Sequence, residues 1–262
     1  MPDVAGRCSI GLISHSPHLA GAERMLLNLA QALQTSRAYR PAVFVPVDPT
    51  GGRELADHLE ARGIDWISCP AIPLYLGVDA DGGQAFARAS ADCAATLADL
   101  IIRSGVDLMV VNTMTNIGAP LAAYLAGKPY IVWIHGVLDT GQGLTGDEFA
   151  PVMEKIALDL AAHVVACSEW TADHYRALYA NKLSVIPNWT DAPRIAPAGP
   201  RAGLAMVTTL IEIKGVKTAI EAMVALRDRG LRTTLTIYGE GPERDALERL
   251  VNRLELDDCV TL

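Results

Sequence analysis

The chain carries the segment LIEIKG at residues 210–215, between a short apolar run at 204–208 and a helical pattern at 216–227. A second segment, IYGEGP at residues 237–242, precedes a helical pattern at 243–254 in the same way. Each segment is a loop through which a strand passes into a helix, where backbone N–H groups and helix N-termini converge on phosphates. The two loops therefore predict a parallel α/β sheet that binds a phosphate or a nucleotide.

The same alternation runs through the preceding part of the chain. Helical patterns at 22–33 and 84–102 place apolar side chains three and four residues apart, which is typical of helices with one buried face. Along 84–102 the side chains predicted to face inward are Phe86, Ala89, Cys93, Leu97 and Leu100. Short apolar runs predict strands at 8–14, 42–47, 64–68, 108–111, 130–134, 164–166 and 183–186. Strands that alternate with helices predict parallel sheets joined by right-handed crossovers.

A stretch rich in Pro and Gly interrupts this alternation at residues 188–201, and we interpret it as a linker. It separates a predicted first domain, 1–187, from a second region, 202–262, with barely three strands. A doubly wound domain takes roughly 100–150 residues. We therefore expect the second domain to be incomplete in this chain, which is then a C-terminally truncated part of a two-domain protein.

Composition excludes several functional classes. The net charge is −8, from 22 basic and 30 acidic residues, which argues against nucleic-acid binding and weakens the case for an anionic membrane surface. The five cysteines are scattered without a C-x-x-C spacing, so we expect neither a zinc site nor a disulfide framework. The same cysteine pattern predicts a reducing cytoplasm as the location. No apolar run reaches the length of a membrane span.

The first strand-to-helix loop, residues 14–24, contains Gly21 as its only glycine. A dinucleotide-binding fold would place G-x-G-x-x-G there, so the loop disfavours a Rossmann oxidoreductase. Two interpretations of Gly21 stay open: a simple turn residue, or a backbone N–H that a ligand approaches at a helix N-terminus. Glu23 in the first turn would favour the helix dipole, which alone would explain it.

The order of several short motifs resembles the group 1 (family 4) retaining glycosyltransferases. These motifs are, along the chain, GAER at 21–24, IHG at 134–136, VACS at 165–168, VIPN at 185–188, KG at 214–215 and GEGP at 239–242. The resemblance runs from about Ser9 to Leu262 and implies a GT-B fold: α/β, with two Rossmann-like, doubly wound parallel-sheet domains, the second incomplete here.

The resemblance also implies site residues. A basic residue at Lys214 would contact the diphosphate of a nucleotide-sugar donor, as a Lys beside a helix N-terminus can, and His135 would contact the donor sugar as the catalytic residue. His15 and His18, on the first loop, are candidates for binding the acceptor, and solvated loop residues are the alternative. The full set of implied donor-binding residues is Gly21, Thr209, Lys214, Gly239 and Gly241. No His, Asp and Glu grouping has metal spacing, and no cofactor is expected beyond the nucleotide sugar as substrate.

Three departures from the family pattern stand out. Thr208 and Thr209 occupy the place of a Gly-Arg pair in many relatives, and Trp189 replaces the usual Gly. No counterpart of the family's paired glutamates occurs before Leu262, since Glu240, Glu243 and Glu248 lie too early. We expect these three glutamates to lie on a solvated loop and helix face, and we expect the chain as given not to catalyse transfer.

The leading hypothesis is a retaining glycosyltransferase that moves a sugar from a nucleotide-sugar donor to a saccharide or lipid-linked acceptor in polysaccharide biosynthesis. The alternative is a non-catalytic GT-B-like binding or partner protein, which Thr209 and the missing glutamates favour. Nucleic acid is not an expected partner. Weak peripheral contact with the inner face of the membrane stays open, although Arg24 is the only cation that residues 22–34 offer.

Overall fold

The computed structural model describes residues 6–74, 82–137, 149–190 and 202–262, with the side chains of 149 and 150 left out. The chain divides into two compact units, Met1–Asp191 and Ala192–Leu262. Of the predicted linker at 188–201, only Asn188, Trp189 and Thr190 lie within the described residues. No helix among the described residues is both long enough and apolar enough to cross a membrane.

The first unit is built on one parallel sheet of seven strands. In chain order the strands are β1 (Cys8–Ile13), β2 (Tyr39–Pro46), β3 (Trp66–Cys69), β4 (Leu108–Val111), β5 (Tyr130–Ile134), β6 (His163–Ala166) and β7 (Leu183–Val185). Their spatial order is β3-β2-β1-β4-β5-β6-β7. The seven predicted strands are all present, and the predicted α/β fold class is confirmed.

Within the described part of the first unit, six α-helices cover both faces of this sheet. They are α1 (Gly21–Thr35), α2 (Glu54–Glu60), α3 (Gly83–Ser104), α4 (Gly118–Leu125), α5 (Phe149–Leu160) and α6 (Glu169–Tyr179). One apolar cluster joins α1 and α2 to one face of the sheet through residues such as Leu26 and Leu12. A second cluster joins α3, α4, α5 and α6 to the opposite face through residues such as Leu97 and Val111. Helices on both faces of a parallel sheet are the doubly wound arrangement.

The inward face of α3 differs from the prediction. Phe86, Cys93 and Leu97 are buried as expected, whereas Ala89 is exposed and Leu100 is half-buried. The positions that complete the buried face are Ser90, Ala94, Ala98 and Ile101. The reason is that α3 packs against α4 as well as against the sheet, so its buried stripe is wider and rotated relative to the predicted one.

The second unit has three parallel strands in the order β10-β9-β8. These strands are β8 (Leu204–Val207), β9 (Leu235–Tyr238) and β10 (Val260–Thr261), and the helices between them are α7 (Val216–Asp228) and α8 (Arg244–Arg253). The helices and strands share one apolar cluster that includes Ile220, Ile237 and Leu250. The strand predicted at 204–208 and the helices predicted at 216–227 and 243–254 are all present, with ends that differ by at most one residue.

Adjacent isoleucines in α3 give a test of the corrected helix face. Ile101 is 0% exposed and Ile102 is 55% exposed. We expect Ile101→Ala to lower the free energy of unfolding by about 2–5 kcal/mol, because the buried side chain leaves a cavity. Ile102→Ala, the matched control, should stay within about 0.5 kcal/mol of the wild type. Urea denaturation measures both variants, and equal losses of stability would contradict this packing.

Candidate functional site

The strand order reverses between β1 and β4, which are neighbours in the sheet. From β1 the chain continues through α1 to β2 on one side, and from β4 it continues through α4 to β5 on the other. The loops that follow β1 and β4 therefore diverge at the carboxyl end of the sheet. In open α/β sheets this point is where ligands bind. Polar residues from three strand ends meet there.

Helix α1 begins at this point with Gly21, and no side chain caps its N-terminus. The loop before it is fixed from within, because the Ser14 hydroxyl donates to the Ser16 carbonyl oxygen at 2.7 Å. It is also fixed from α2, since Glu54 Oε2 accepts a hydrogen bond of 3.0 Å from the backbone N–H of Leu19. The first turn of α1 is thus held in place while Gly21 lines a cleft.

Glu23 is a buried carboxylate, not a surface residue beside the helix N-terminus. Its side chain is 0% exposed. The Oε1 atom lies 3.0 Å from His15 Nδ1 and 3.3 Å from Ser14 Oγ. Its Oε2 atom is buried without a hydrogen-bond partner among the described residues. The helix dipole alone therefore does not explain the position of the Glu23 side chain, because this side chain is buried and contacts His15.

His135 follows β5 and joins this polar group through Asn112, the first residue after β4. His135 Nε2 lies 3.0 Å from Asn112 Oδ1, and Asn112 Nδ2 donates to the Ala22 carbonyl oxygen at 2.8 Å. Asn112 was not among the predicted site residues. A polar residue directly after the apolar run at 108–111 was the signal in the sequence, since it falls at the same sheet edge as His135.

The surroundings of His135 favour the neutral imidazole. Burial lowers its pKa from 6.5 to about 4, and the nearby His15 also lowers it, whereas the Glu23 carboxylate and the Asn188 side chain act in the opposite direction. The ring centroid lies 4.9 Å from that of Trp133. Its Nδ1 atom is buried and has no hydrogen-bond partner of good geometry among the described residues. His135 is therefore an uncharged hydrogen-bonding group at pH 7.

A cleft of about 450 Å³ lies over the start of α1. Its lining includes the ring of His135, Gly21 and the side chains of Asn28, Asn188 and Thr190. The short segment that ends in Thr190 is anchored by Trp189, which stacks on Trp133 at 5.8 Å between centroids and whose carbonyl oxygen accepts a hydrogen bond from Asn28. This gives a structural role to the Trp that replaces the family's Gly.

The predicted residues of the first unit do not all meet. His135, His15 and Gly21 belong to the region around the start of α1, as described above. His18 is exposed and lies elsewhere, with its Nε2 atom 3.4 Å from Asp48 Oδ2. Among the residues that the structure describes, no group of three His, Cys, Asp or Glu side chains is placed to hold a metal ion.

In the second unit, the loops after β8 and β9 lie side by side. The backbone N–H groups of Thr208 and Leu210 donate to the carbonyl oxygens of Tyr238 and Glu240, each at 2.9 Å. A Cβ atom at Gly241 would come 2.3 Å from the Leu210 carbonyl oxygen. Gly239 and Gly241 thus allow the loop after β9 to approach the backbone of the loop after β8 more closely than a larger residue would without movement. Thr209, on the loop after β8, is exposed.

Lys214 ends a 3₁₀ turn, Glu212–Lys214, directly before Gly215 and helix α7. Gly215 has φ of +66°, a conformation that glycine adopts without strain. Lys214 is exposed, and no ion pair joins it to a carboxylate among the described residues. Glu240 and Glu248 instead pair with Arg244, at 2.9 and 3.1 Å.

Comparison with solved structures identifies the fold as the GT-B type of glycosyltransferases. The structure of Anabaena Alr3699/HepE in complex with UDP matches with a TM-score of 0.69 and 18% identity, over 97% of this chain and 68% of that one. A glycosyltransferase from Rickettsia africae ESF-5 matches with a TM-score of 0.69 and 16% identity, over 98% of this chain and 68% of that one.

Residues 20–189 match the glycosyl transferase 4-like domain family, and the protein belongs to this family. A curated relative is the 2-deoxystreptamine glucosyltransferase of Streptomyces kanamyceticus, 28% identical over 166 residues. The aligned part covers 54% of this chain and 43% of the relative, so the match spans less than half of that relative's length.

The low pKa of His135 gives a prediction about stability. A histidine whose pKa falls from 6.5 to about 4 on folding stabilises the fold fully above pH 6.5, and this contribution is lost as the pH falls toward 4. We therefore expect the free energy of unfolding of the wild type to decrease more between pH 6.5 and 4 than that of His135→Gln. Urea denaturation across this range measures the difference.

The control is His174→Gln, which removes an exposed histidine of α6. It should keep the pH dependence of the wild type. If His135→Gln and the wild type lost the same stability over this range, the uncharged state of His135 in the folded protein would be contradicted.

Proposed function

We propose that the protein is a retaining glycosyltransferase that moves a sugar from a nucleotide-sugar donor to a saccharide or lipid-linked acceptor. The observation that carries this proposal is the coincidence of the family match, residues 20–189, with a polar cleft at the reversal point of the sheet. Two comparisons add support: a relative named as a glucosyltransferase, and a structural neighbour in complex with UDP.

In this proposal the first unit contacts the sugar and the acceptor. His135 is the catalytic residue beside the donor sugar, and its neutral ring suits hydrogen bonds to uncharged hydroxyl groups. The backbone N–H of Gly21, at the uncapped start of α1, binds the donor as well. His15 and His18 are proposed to meet the acceptor. His15 lies against Glu23, whereas His18 lies against Asp48, which favours His15 for any contact near the reacting atoms.

The second unit is proposed to bind the diphosphate. Lys214 stands before the N-terminus of α7 without a carboxylate partner among the described residues, so its charge is available to a phosphate. Thr209, Gly239 and Gly241 form the adjoining loops, where the glycines let backbone approach backbone. A cation at this place stabilises the charge of the leaving nucleoside diphosphate, and the proposal includes no cofactor or metal ion.

Retention, the class of acceptor, a role in polysaccharide biosynthesis and action in the cytoplasm, with weak contact at the inner face of the membrane, come from the resemblance alone. The anomeric configuration of the product, observed by NMR with an anomerically defined donor, decides retention. Inversion would remove that part of the proposal and leave the transferase assignment in place.

The role of Lys214 is tested by titrating the full chain with UDP in a calorimeter. We expect Lys214→Ala to weaken UDP binding about tenfold or more, because a hydrogen bond to a charged group is lost. The matched control is Lys217→Ala, since Lys217 is an exposed lysine of α7 that lies 3.8 Å from Glu221. Equal losses of affinity in the two variants would contradict a specific contact between Lys214 and the diphosphate.

The role of His135 is tested with the protein that the complete gene encodes, by transfer of labelled glucose from UDP-glucose to a panel of saccharide and lipid-linked acceptors. We expect His135→Ala to lower kcat by about 10²-fold or more while leaving UDP affinity within about threefold, because the residue meets the sugar and not the nucleotide. His174→Ala is the control. Tight UDP binding without transfer from any nucleotide sugar would favour the alternative, a non-catalytic GT-B-like binding protein.

A further inference from the structure

The Asn112 side-chain amide forms two hydrogen bonds, one as a donor and one as an acceptor. Its Nδ2 atom donates to the backbone carbonyl oxygen of Ala22 in the first turn of α1, at 2.8 Å. Its Oδ1 atom lies 3.0 Å from Nε2 of His135. The Asn112 residue is 1% exposed, so water cannot substitute for either partner. The amide is thus a buried connection between the start of α1 and the histidine after β5.

The Ala22 carbonyl fixes which end of the amide faces His135. A backbone carbonyl oxygen can only accept a hydrogen bond, so the group next to it must be the NH₂ of Asn112. The reversed amide would place two oxygen acceptors against each other in a buried site, which costs the desolvation of both groups. The oxygen of Asn112 must therefore face His135 Nε2.

The amide oxygen in turn fixes the proton of His135. Oδ1 is an acceptor, so Nε2 must carry a hydrogen atom to form the contact of 3.0 Å. The neutral ring holds one N–H only, which leaves Nδ1 as the nitrogen with the free lone pair. The doubly protonated ring would place a second N–H at Nδ1, where the atom is buried and the Asn188 side chain, which favours the protonated ring, forms no hydrogen bond of good geometry.

We propose that Asn112 is a positioning residue that holds neutral His135 with its proton on Nε2 and its lone pair on Nδ1. This inference deepens the proposed function and rests on it for the place of His135 beside a sugar. Because Nδ1 is buried and the Asn188 side chain acts on the ring, Asn112 does not prepare a nitrogen for direct contact with a ligand. It fixes the orientation and the uncharged state of a residue that lines the cleft.

Two titratable groups act on His135 from α1 and the loop before it. The Glu23 carboxylate favours the protonated ring, whereas His15 and burial disfavour it, and burial is the largest of these effects. The Glu23 carboxylate also contacts His15 directly, with 3.0 Å between Oε1 and His15 Nδ1. Asn112 provides an uncharged contact, whereas a carboxylate at the same place would raise the pKa of His135.

The test reads the protonation of His135 directly. NMR of the full chain with ¹⁵N-labelled histidine distinguishes a protonated from an unprotonated ring nitrogen, and His135→Gln identifies the signals among the six histidines. At pH 7 we expect the wild type to show His135 as one form, with hydrogen on Nε2 only. Hydrogen on Nδ1, or a mixture of the two neutral forms, would overturn the proposal, and this measurement needs no variant to fold.

Two substitutions then test whether Asn112 is the cause. In Asn112→Ala the second neutral form, with hydrogen on Nδ1, should become populated, because no acceptor remains at Nε2. In Asn112→Asp the pKa of His135 should rise by about one to three units, because a carboxylate replaces the amide oxygen. Unchanged proton positions and pKa in both variants would overturn the role of Asn112.

Asn116→Ala is the matched control. Asn116 is also 1% exposed and lies in the same loop, but its Oδ1 atom accepts a hydrogen bond from the backbone N–H of Ala119. It should reduce stability without changing the His135 signals. All of these spectra are recorded without a ligand. If the expected tautomer is observed but the protein that the complete gene encodes transfers no sugar, the proposed function is refuted and the role of Asn112 stays intact.

Discussion

The pairing of β1 with β2 on one side and with β4 on the other is the constraint on which the first unit depends. The chain leaves β1 outward to β2 and β3, and it must return across the sheet before β4 can pair with β1. Helix α3, with 22 residues, makes this return and spans about 33 Å. Because the chain then continues away from β1, the loops after β1 and β4 part from each other. The cleft and its polar group lie where they part.

Much of this architecture could be predicted from the sequence because buried parallel strands appear as continuous apolar runs. The strands β4 and β5 have the predicted ends, and His135 stands where the strand pattern placed it. The burial of Glu23 and the bridging role of Asn112 could not be predicted, since both depend on which strand ends become neighbours. The same holds for α3, which packs against α4 and buries Ser90 and Ile101 in place of the neighbouring Ala89 and Leu100. The role of Trp189 depends equally on a distant partner, Trp133.

Two basic side chains of the second unit, Arg244 and Lys214, differ in whether they form ion pairs within the protein. Arg244 pairs with both Glu240 and Glu248 and also donates to the Gly239 carbonyl oxygen, so its charge is used within this loop and helix. Lys214 forms no ion pair with a carboxylate among the described residues. The resemblance proposes Lys214 as a phosphate contact, and the structure adds that Arg244 is already paired with local carboxylates.

The stack of Trp133 and Trp189 has an optical consequence. Two indoles with centroids 5.8 Å apart and planes inclined by 19° are close enough for their strong electronic transitions to couple. Such coupling gives a pair of far-ultraviolet circular dichroism bands of opposite sign that isolated indoles lack. One indole neighbours His135 and the other lies just before residue 191. The signal of this chromophore pair therefore reports whether the segment around Trp189 remains packed against Trp133 beside the polar cleft.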